Sequence, residues 1–157
     1  MKQRIKSLLA IVLSAMLLLT GCSSTLELPN GSAIGKPSAT VQQDGTYTSK
    51  EDVAEYLDTF GHLPDNFITK KQARALGWDN AKGNLDEVAP GMSIGGDYFG
   101  NYEGILPEEN GREYHECDID YDGGYRTAQR IVYSNDGLIY YTQDHYETFE
   151  LLYGEES

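Results

Sequence analysis

Positive charge is scarce in this sequence, which has 12 lysine and arginine residues against 25 aspartate and glutamate residues, a formal charge of -13. A protein that coats nucleic acid without regard to sequence needs a basic surface, because contacts with phosphates supply its affinity. The shortage excludes that class. Hydrophobic residues at 39% and charged residues at 24% indicate a folded chain rather than a disordered one. The 157 residues suffice for one ordinary domain and a short appendage.

Long hydrophobic runs are also rare, and the one at residues 8–19 is too short to span a bilayer comfortably. It follows the basic residues Lys2, Arg4 and Lys6 and ends in Leu19-Thr20-Gly21-Cys22. This pattern predicts an export signal over residues 1–21 and resembles the lipobox of bacterial lipoproteins, in which the cysteine is lipidated. The alternative is an ordinary secretory signal in which Cys22 is incidental.

Cysteine is limited to Cys22 and Cys117, so lipidation of Cys22 would leave no intramolecular disulfide. Residues 22–46 contain scattered serine, glycine and proline without a sustained period, and this composition predicts a flexible tether. Residues 47–157 then form the single folded domain. We expect the protein to be exported, tethered to the outer face of the cell membrane, and monomeric.

Within the domain, helical signals come first and strand signals follow. Capping patterns predict helices that begin after Ser49, Thr69 and Asn84 and end at Gly61, Gly77 and Pro90. Later segments rich in tyrosine, isoleucine and valine, separated by short turns, predict strands over Arg112–Tyr121, Arg126–Ser134, Leu138–Thr142 and Tyr146–Leu152. This order predicts an α+β fold with N-terminal helices packed on one face of a C-terminal antiparallel sheet.

Five residues on these predicted strands and turns form a constellation suited to acid–base chemistry. Arg126 and Arg130 are four residues apart and share a face of their strand, and Glu116 and Asp118 share a face of the preceding strand. His145 lies in the turn before the last strand. A carboxylate, two guanidiniums and an imidazole suffice for attack at a phosphodiester. The alternative is a set of ordinary surface salt bridges with a solvated histidine.

A second motif competes for the same region. Asp118-x-Asp120-x-Asp122-Gly123 matches the first half of an EF-hand calcium loop. The twelfth position is Gln129 instead of glutamate, and strands rather than helices are predicted on both sides, so structural calcium is the lesser alternative.

Residues 47–157 resemble the barnase family, the small extracellular guanyl-preferring ribonucleases of bacilli. The resemblance is carried by LPDNFITK (63–70), ALGW (75–78), KGNL (82–85), VAPG (88–91), SIGGD (93–97), EGILP (103–107) and DHYETF (144–149). It implies the microbial ribonuclease fold and cleavage of single-stranded RNA after guanosine through a 2′,3′-cyclic phosphate. It implies no metal and no other cofactor.

The resemblance also implies roles for the site residues. Glu116 would be the general base and His145 the general acid, while Lys70, Arg126 and Arg130 would hold the phosphate. Tyr146 would line the same site. Asp97 would position Lys70 and Glu116, and Asp118 would keep the arginines ordered.

Guanine preference would come from the loop Phe99-Gly100-Asn101-Tyr102-Glu103. Backbone N–H groups there would donate to guanine O6, and the Glu103 carboxylate would accept from N1–H and the exocyclic amine. Two positions of this loop depart from the family: Tyr102 stands where the family has arginine, and Gly100 stands where it has serine. Tyr102 removes a positive charge from the site and offers a ring for base stacking.

The domain's charge is the largest departure, because residues 47–157 contain 8 basic and 23 acidic residues, a net -15, whereas the family is basic. We therefore expect repulsion of RNA at low salt. The family implies a barstar-like inhibitor as a partner, and the lost cation at Tyr102 weakens complementarity to such an acidic protein. The alternative function is a weakly active or inactive barnase-like binding lipoprotein.

Overall fold

The structure is a computed structural model that describes residues 41–156. The predicted signal peptide, Cys22 and the tether as far as residue 40 lie outside the described residues. In the part of the chain that is described, no helix has the length and apolarity needed to cross a membrane.

The predicted helix after Ser49 is confirmed as α1, Lys50–Phe60. The Ser49 side chain accepts a hydrogen bond from the Asp52 N–H at 3.2 Å, which satisfies one of the free donors of the first turn. Gly61 ends the helix in the left-handed conformation, φ 73°, and its N–H donates to the Leu57 carbonyl at 2.8 Å.

The next two helices are short. α2, Lys70–Ala75, begins with the predicted reciprocal capping of Thr69 and Gln72. α3, Leu85–Val88, is present, but the predicted Asn84 cap is wrong. The Asn84 side chain instead accepts from the Asp79 N–H at 2.8 Å and closes the preceding loop.

Six strands form one sheet in sequence order. They are β1 (Phe67–Ile68), β2 (Ser93–Phe99), β3 (Tyr114–Asp118), β4 (Arg130–Ser134), β5 (Ile139–Thr142) and β6 (Glu150–Tyr153). β1 pairs parallel to β2, and every later pair is antiparallel. β1 was not predicted from the sequence, because two residues carry no periodicity.

Two strands begin later in the chain than predicted. Arg126 lies before β4 rather than on it, because the carbonyls of Thr127 and Gln129 accept from the Arg130 guanidinium at 2.7 and 2.6 Å, which draws the chain out of the ladder. Residues 143–149 form turns rather than the start of β6, because the Asp144 carboxylate accepts from N–H groups of that segment.

Three apolar clusters surround the sheet. On one face, α1 packs on the sheet through Val53, Ala54, Leu57, Cys117, Ile119, Ile131 and Ile139. A second cluster joins α2 and α3 to β2 through Ala73, Trp78, Leu85, Ala89, Ile94 and Tyr121. A third contains Leu106, Tyr114, Val132, Leu138 and Tyr140. The predicted α+β fold is confirmed.

Cys117 belongs to the α1 face and is 1% exposed. Burial raises the pKa of its thiol well above the usual value, with the nearby Asp118 charge adding to the effect. The thiol therefore stays protonated at neutral pH and contributes to packing.

Candidate active site

Alternation along β3 divides its side chains between two environments. His115 and Cys117 face the α1 side, whereas Glu116 and Asp118 face the other side of the sheet. The two acidic side chains are only 7% and 1% exposed. Because a buried carboxylate needs partners, the chemistry of this face depends on what surrounds these two groups.

A bulge in β2 brings Asp97 to the same face. Gly95 pairs with Cys117, but Asp97 rather than Gly96 pairs with Glu116, so Gly96 is the extra residue. Gly96 has φ 88°, a conformation that favours glycine. In a regular ladder Asp97 would share the face of Gly95, so the bulge moves its carboxylate to the side of Glu116.

Asp97 and Glu116 together hold Lys70. Asp97 Oδ2 accepts from the Lys70 backbone N–H at 2.8 Å, which fixes the first turn of α2 against β2. The Lys70 ammonium donates to Glu116 Oε1. Lys70 thus joins the start of α2 to the central strand β3.

Glu116 is ionised in this environment. Burial raises the pKa of its carboxyl, but hydrogen bonds from Lys70 and from the Tyr146 hydroxyl to Oε2, with the positive charges of Lys70 and Arg126, outweigh that effect. The pKa therefore lies below its usual value of 4.5. At neutral pH the group is a carboxylate able to accept a proton.

Asp118 engages both arginines. Arg126 Nε and Nη2 donate to its two oxygens at 2.7 and 2.6 Å in a bidentate pair. Arg130 pairs with Asp118 across the strands, and its Nε lies 3.0 Å from Oδ1 as an ionic contact without hydrogen-bond geometry. With both oxygens occupied by guanidiniums, Asp118 is not free to begin a calcium loop.

His145 lies in a turn that Asp144 closes. The Asp144 carboxylate accepts from the N–H groups of Glu147 and Thr148 at 3.1 and 2.9 Å and from the hydroxyls of Thr148 and Thr142. These hydrogen bonds, with that of the Thr148 hydroxyl the strongest, lower the pKa of Asp144 to about 2. The turn holds His145 at φ 60° and Tyr146 at φ 76°.

The His145 ring is exposed and lies 4.6 Å from the Tyr146 ring between centroids. It opens into a cleft of about 300 Å³ lined by Asn80, Arg126, Thr127, Ala128, Arg130 and His145. The structure thus brings His145 next to both arginines, while Tyr146 connects it to Glu116.

The predicted base-recognition loop follows β2. Asn101, which is buried and has φ 41°, holds it closed by donating to the Leu106 carbonyl at 2.9 Å and accepting from the Leu106 N–H at 3.0 Å. Phe99 anchors the loop against Tyr146, with ring centroids 5.2 Å apart. The loop is therefore joined to the turn of His145.

The outer residues of this loop are open to solvent. Tyr102 is 90% exposed, and its ring lies so close to Gly100 that a Cβ there would overlap it. The Glu103 carboxylate is exposed and has no hydrogen bond or ion pair to any residue in the described range 41–156. It is available to a ligand.

The structure brings Lys70, Asp97, Glu116, Asp118, Arg126, Arg130, His145 and Tyr146 together on one side of the sheet, with Phe99–Glu103 at its end. Sequence reasoning missed Asn80, which lines the cleft and follows no recognisable signal, and Asp144, whose spacing to Thr148 is a side-chain turn signal. Among residues 41–156, no group of three or more histidine, cysteine, aspartate or glutamate side chains could hold a metal ion.

In a comparison with known proteins, residues 50–153, about two thirds of the chain, match a family model described as ribonuclease. The ribonuclease of Heyndrickxia coagulans is 62% identical over 97 residues, which cover 62% of this chain and 89% of the relative. The ribonuclease of Bacillus intermedius has the same identity over 97 residues, which cover 60% of its length.

A more distant relative is the guanyl-specific ribonuclease St of Saccharopolyspora erythraea, 44% identical over 57 residues, or 36% of this chain and 56% of the relative. These matches confirm the resemblance seen in the motifs. The chain is a ribonuclease and belongs to the ribonuclease family.

Proposed function

We propose that this ribonuclease cleaves single-stranded RNA after guanosine, with Glu116 as general base and His145 as general acid. The observation that carries the proposal is the state of Glu116, a buried carboxylate that is ionised at neutral pH and surrounded by Lys70 and Arg126. Such a group can take a proton from a substrate hydroxyl without first losing one of its own.

In the first step Glu116 takes the proton of the ribose 2′-OH, and the 2′ oxygen forms a bond to phosphorus. The bond from phosphorus to the 5′ oxygen of the next nucleotide breaks, and His145 donates its proton to that oxygen. The product is a 2′,3′-cyclic phosphate. In the second step the roles reverse. His145 takes a proton from water, whose oxygen forms a bond to phosphorus, while the bond from phosphorus to the 2′ oxygen breaks and Glu116 returns its proton to that oxygen. The product is a 3′-phosphate.

The charge that develops on the phosphoryl oxygens would be stabilised by Lys70, Arg126 and Arg130. Asp118 supports this role because it fixes both guanidiniums before substrate arrives, so no reorganisation is needed during the reaction. We propose that these side chains, and not a metal ion, supply the electrostatic stabilisation.

Guanine recognition is assigned to the loop at Phe99–Glu103. Its free Glu103 carboxylate is an acceptor suited to guanine N1–H and the exocyclic amine, which adenine does not present in that arrangement. Backbone N–H groups of the loop would donate to O6. The relative named as guanyl-specific supports the same preference.

We also propose that the protein is exported and tethered through Cys22, that the domain acts as a monomer, and that a barstar-like inhibitor protects the producing cell. The support for export is the basic and apolar N-terminus with Leu19-Thr20-Gly21-Cys22.

The test uses the full chain in mild detergent and a DNA oligonucleotide that contains a single ribonucleotide, either guanosine or adenosine, in excess chelator. We expect cleavage after guanosine only, and a loss of about 100- to 10,000-fold in kcat/KM for Glu116→Gln, as removal of a general base implies. Glu113→Gln, an exposed carboxylate just before β3, is the matched control and should keep full activity.

His145→Asn is the second variant, because asparagine tolerates the left-handed backbone at this exposed position and should fold. It should show a comparable loss. If both variants stay folded, by their melting temperatures, and keep their activity, the acid–base assignment is wrong. If the unmodified chain cleaves neither substrate at any salt concentration, the alternative of an inactive binding lipoprotein is favoured.

A further inference from the structure

A pocket of about 490 Å³ lies on the face of the sheet opposite the candidate active site. We call it the rear pocket and define it by Leu57, Asp58, His62, His115, Tyr133 and Ile139. His115 lines it whereas Glu116 faces the other way, so a ligand in the rear pocket would leave the cleft beside His145 open.

The inner wall of the rear pocket is apolar and aromatic. Leu57 and Ile139 are buried, at 4% and 3% exposure, and the His115 and Tyr133 rings lie 5.8 Å apart between centroids. The glycines at its rim leave the entrance open, because a Cβ at Gly61 or Gly137 would meet nothing within 4 Å. A flat group could therefore enter and lie against the rings.

The two histidines that line the rear pocket each have one ring nitrogen left to accept a hydrogen bond. His62 Nδ1 lies 2.8 Å from the Leu63 carbonyl oxygen, and His115 Nδ1 lies 3.2 Å from the Gly96 carbonyl oxygen. Because a carbonyl oxygen only accepts, each Nδ1 must carry the proton. In the neutral ring Nε2 is then an unprotonated acceptor, and neither Nε2 has a partner among residues 41–156.

The electrostatics of the rear pocket favour a cation. It is bordered by the C-terminal end of α1, the negative end of the helix dipole, and the last turn of that helix contains no basic residue. Asp58 adds a carboxylate at the same end. Among the described residues that line the pocket there is no lysine or arginine, so a phosphate group would find no counter-charge.

A guanidinium fits these features better than other common groups. It is planar, it stacks on aromatic rings, and it has only donors, which match acceptors at Asp58, His62 and His115. We propose that the rear pocket binds an arginine side chain of a basic partner polypeptide. The net charge of -15 over residues 47–157 supports this partner, because it attracts a basic chain over long range.

The experiment titrates the full isotope-labelled chain in mild detergent with the peptide acetyl-Gly-Arg-Gly-amide and follows its amide and histidine ring resonances. The isosteric peptide with citrulline in place of arginine has the same shape without the charge. We expect saturable shifts at His62, His115 and Tyr133, and binding about ten-fold weaker for the citrulline peptide.

Asp58→Asn removes the carboxylate at an exposed position and should weaken arginine binding about three-fold. Glu51→Gln removes the same charge at the opposite end of α1 and should leave binding unchanged. The proposal would be overturned by equal weakening in both variants, by equal binding of the citrulline peptide, or by shifts that appear at Glu116 and His145 instead. If guanosine monophosphate shifts the resonances of the rear-pocket residues, the pocket is a nucleotide site, and this result also contradicts the proposal.

Discussion

Single residues determine the protonation state of the candidate base. Burial alone would raise the pKa of Glu116, and its value falls below the usual 4.5 only because Lys70, Tyr146 and Arg126 favour the charged form. The hydroxyl of Tyr146 contributes a hydrogen bond to a charged group, a strong kind of hydrogen bond in proteins. Its removal should therefore be visible in the pH dependence of the reaction.

Tyr146→Phe should move the acid limb of the kcat/KM profile to higher pH. The sign follows from the loss of a bond that stabilises the carboxylate, which raises the pKa of Glu116, so the base becomes protonated at a higher pH. Tyr133→Phe removes a hydroxyl from the opposite face and should leave the limb in place. An unchanged limb in Tyr146→Phe would mean that Glu116 is not the group that titrates.

At this scale the sequence predicted the pairs of side chains whose positions follow from the regular alternation of residues along a β-strand. Glu116 and Asp118 share a face, and Asp118 lies opposite Arg130, as strand geometry requires. The place of Asp97 could not be derived in that way, because the extra residue Gly96 reverses the face on which Asp97 lies. Its role followed only from the family resemblance.

At the scale of elements, the turn at residues 144–148 is the part of the site that the hydrophobic pattern of the sequence predicted least well. Aromatic and β-branched residues in this stretch predicted a strand from Tyr146, but local hydrogen bonds to the Asp144 carboxylate compete with the ladder. The helices were predicted better, because the caps at Ser49 and Thr69 are local signals that the fold retains.

Asp144→Ala should lower kcat about 10- to 100-fold, because His145 loses the turn that orients it and small displacements of catalytic groups are costly. Asp122→Ala, in the exposed turn between β3 and β4, is the matched control and should keep its activity. Wild-type activity of Asp144→Ala would show that the turn holds its shape without the carboxylate.

The pH dependence of unfolding gives an independent check on the same turn. Because the pKa of Asp144 is lowered to about 2, its contribution to stability is fully present above the usual value of 3.8 and is lost as the pH falls towards 2. The melting temperature of Asp144→Ala should therefore fall less than that of the unmodified chain over this range.

At the scale of the whole molecule, the negative net charge of the domain opposes the positive charge of the candidate active site. Lys70, Arg126 and Arg130 are concentrated at one site, whereas the domain as a whole, with these three included, has 23 acidic residues against 8 basic ones. The local cations act on a phosphate within a few ångströms, and the acidic surface acts on the whole polyanion over roughly a Debye length, about 10 Å at 0.1 M salt. Affinity for long RNA is the balance of the two.

We therefore expect kcat/KM for a long single-stranded RNA to rise at least about threefold as salt increases from about 50 to about 300 mM, because screening removes the long-range repulsion first. The gain should lie in KM, since kcat reports contacts inside the site. A dinucleotide with guanosine at its 5′ end carries one phosphate and should show little dependence on salt, which makes it the internal control. A steep fall of kcat/KM for long RNA over this range would contradict the expectation and would mean that the cations of the site dominate association despite the net charge of -15.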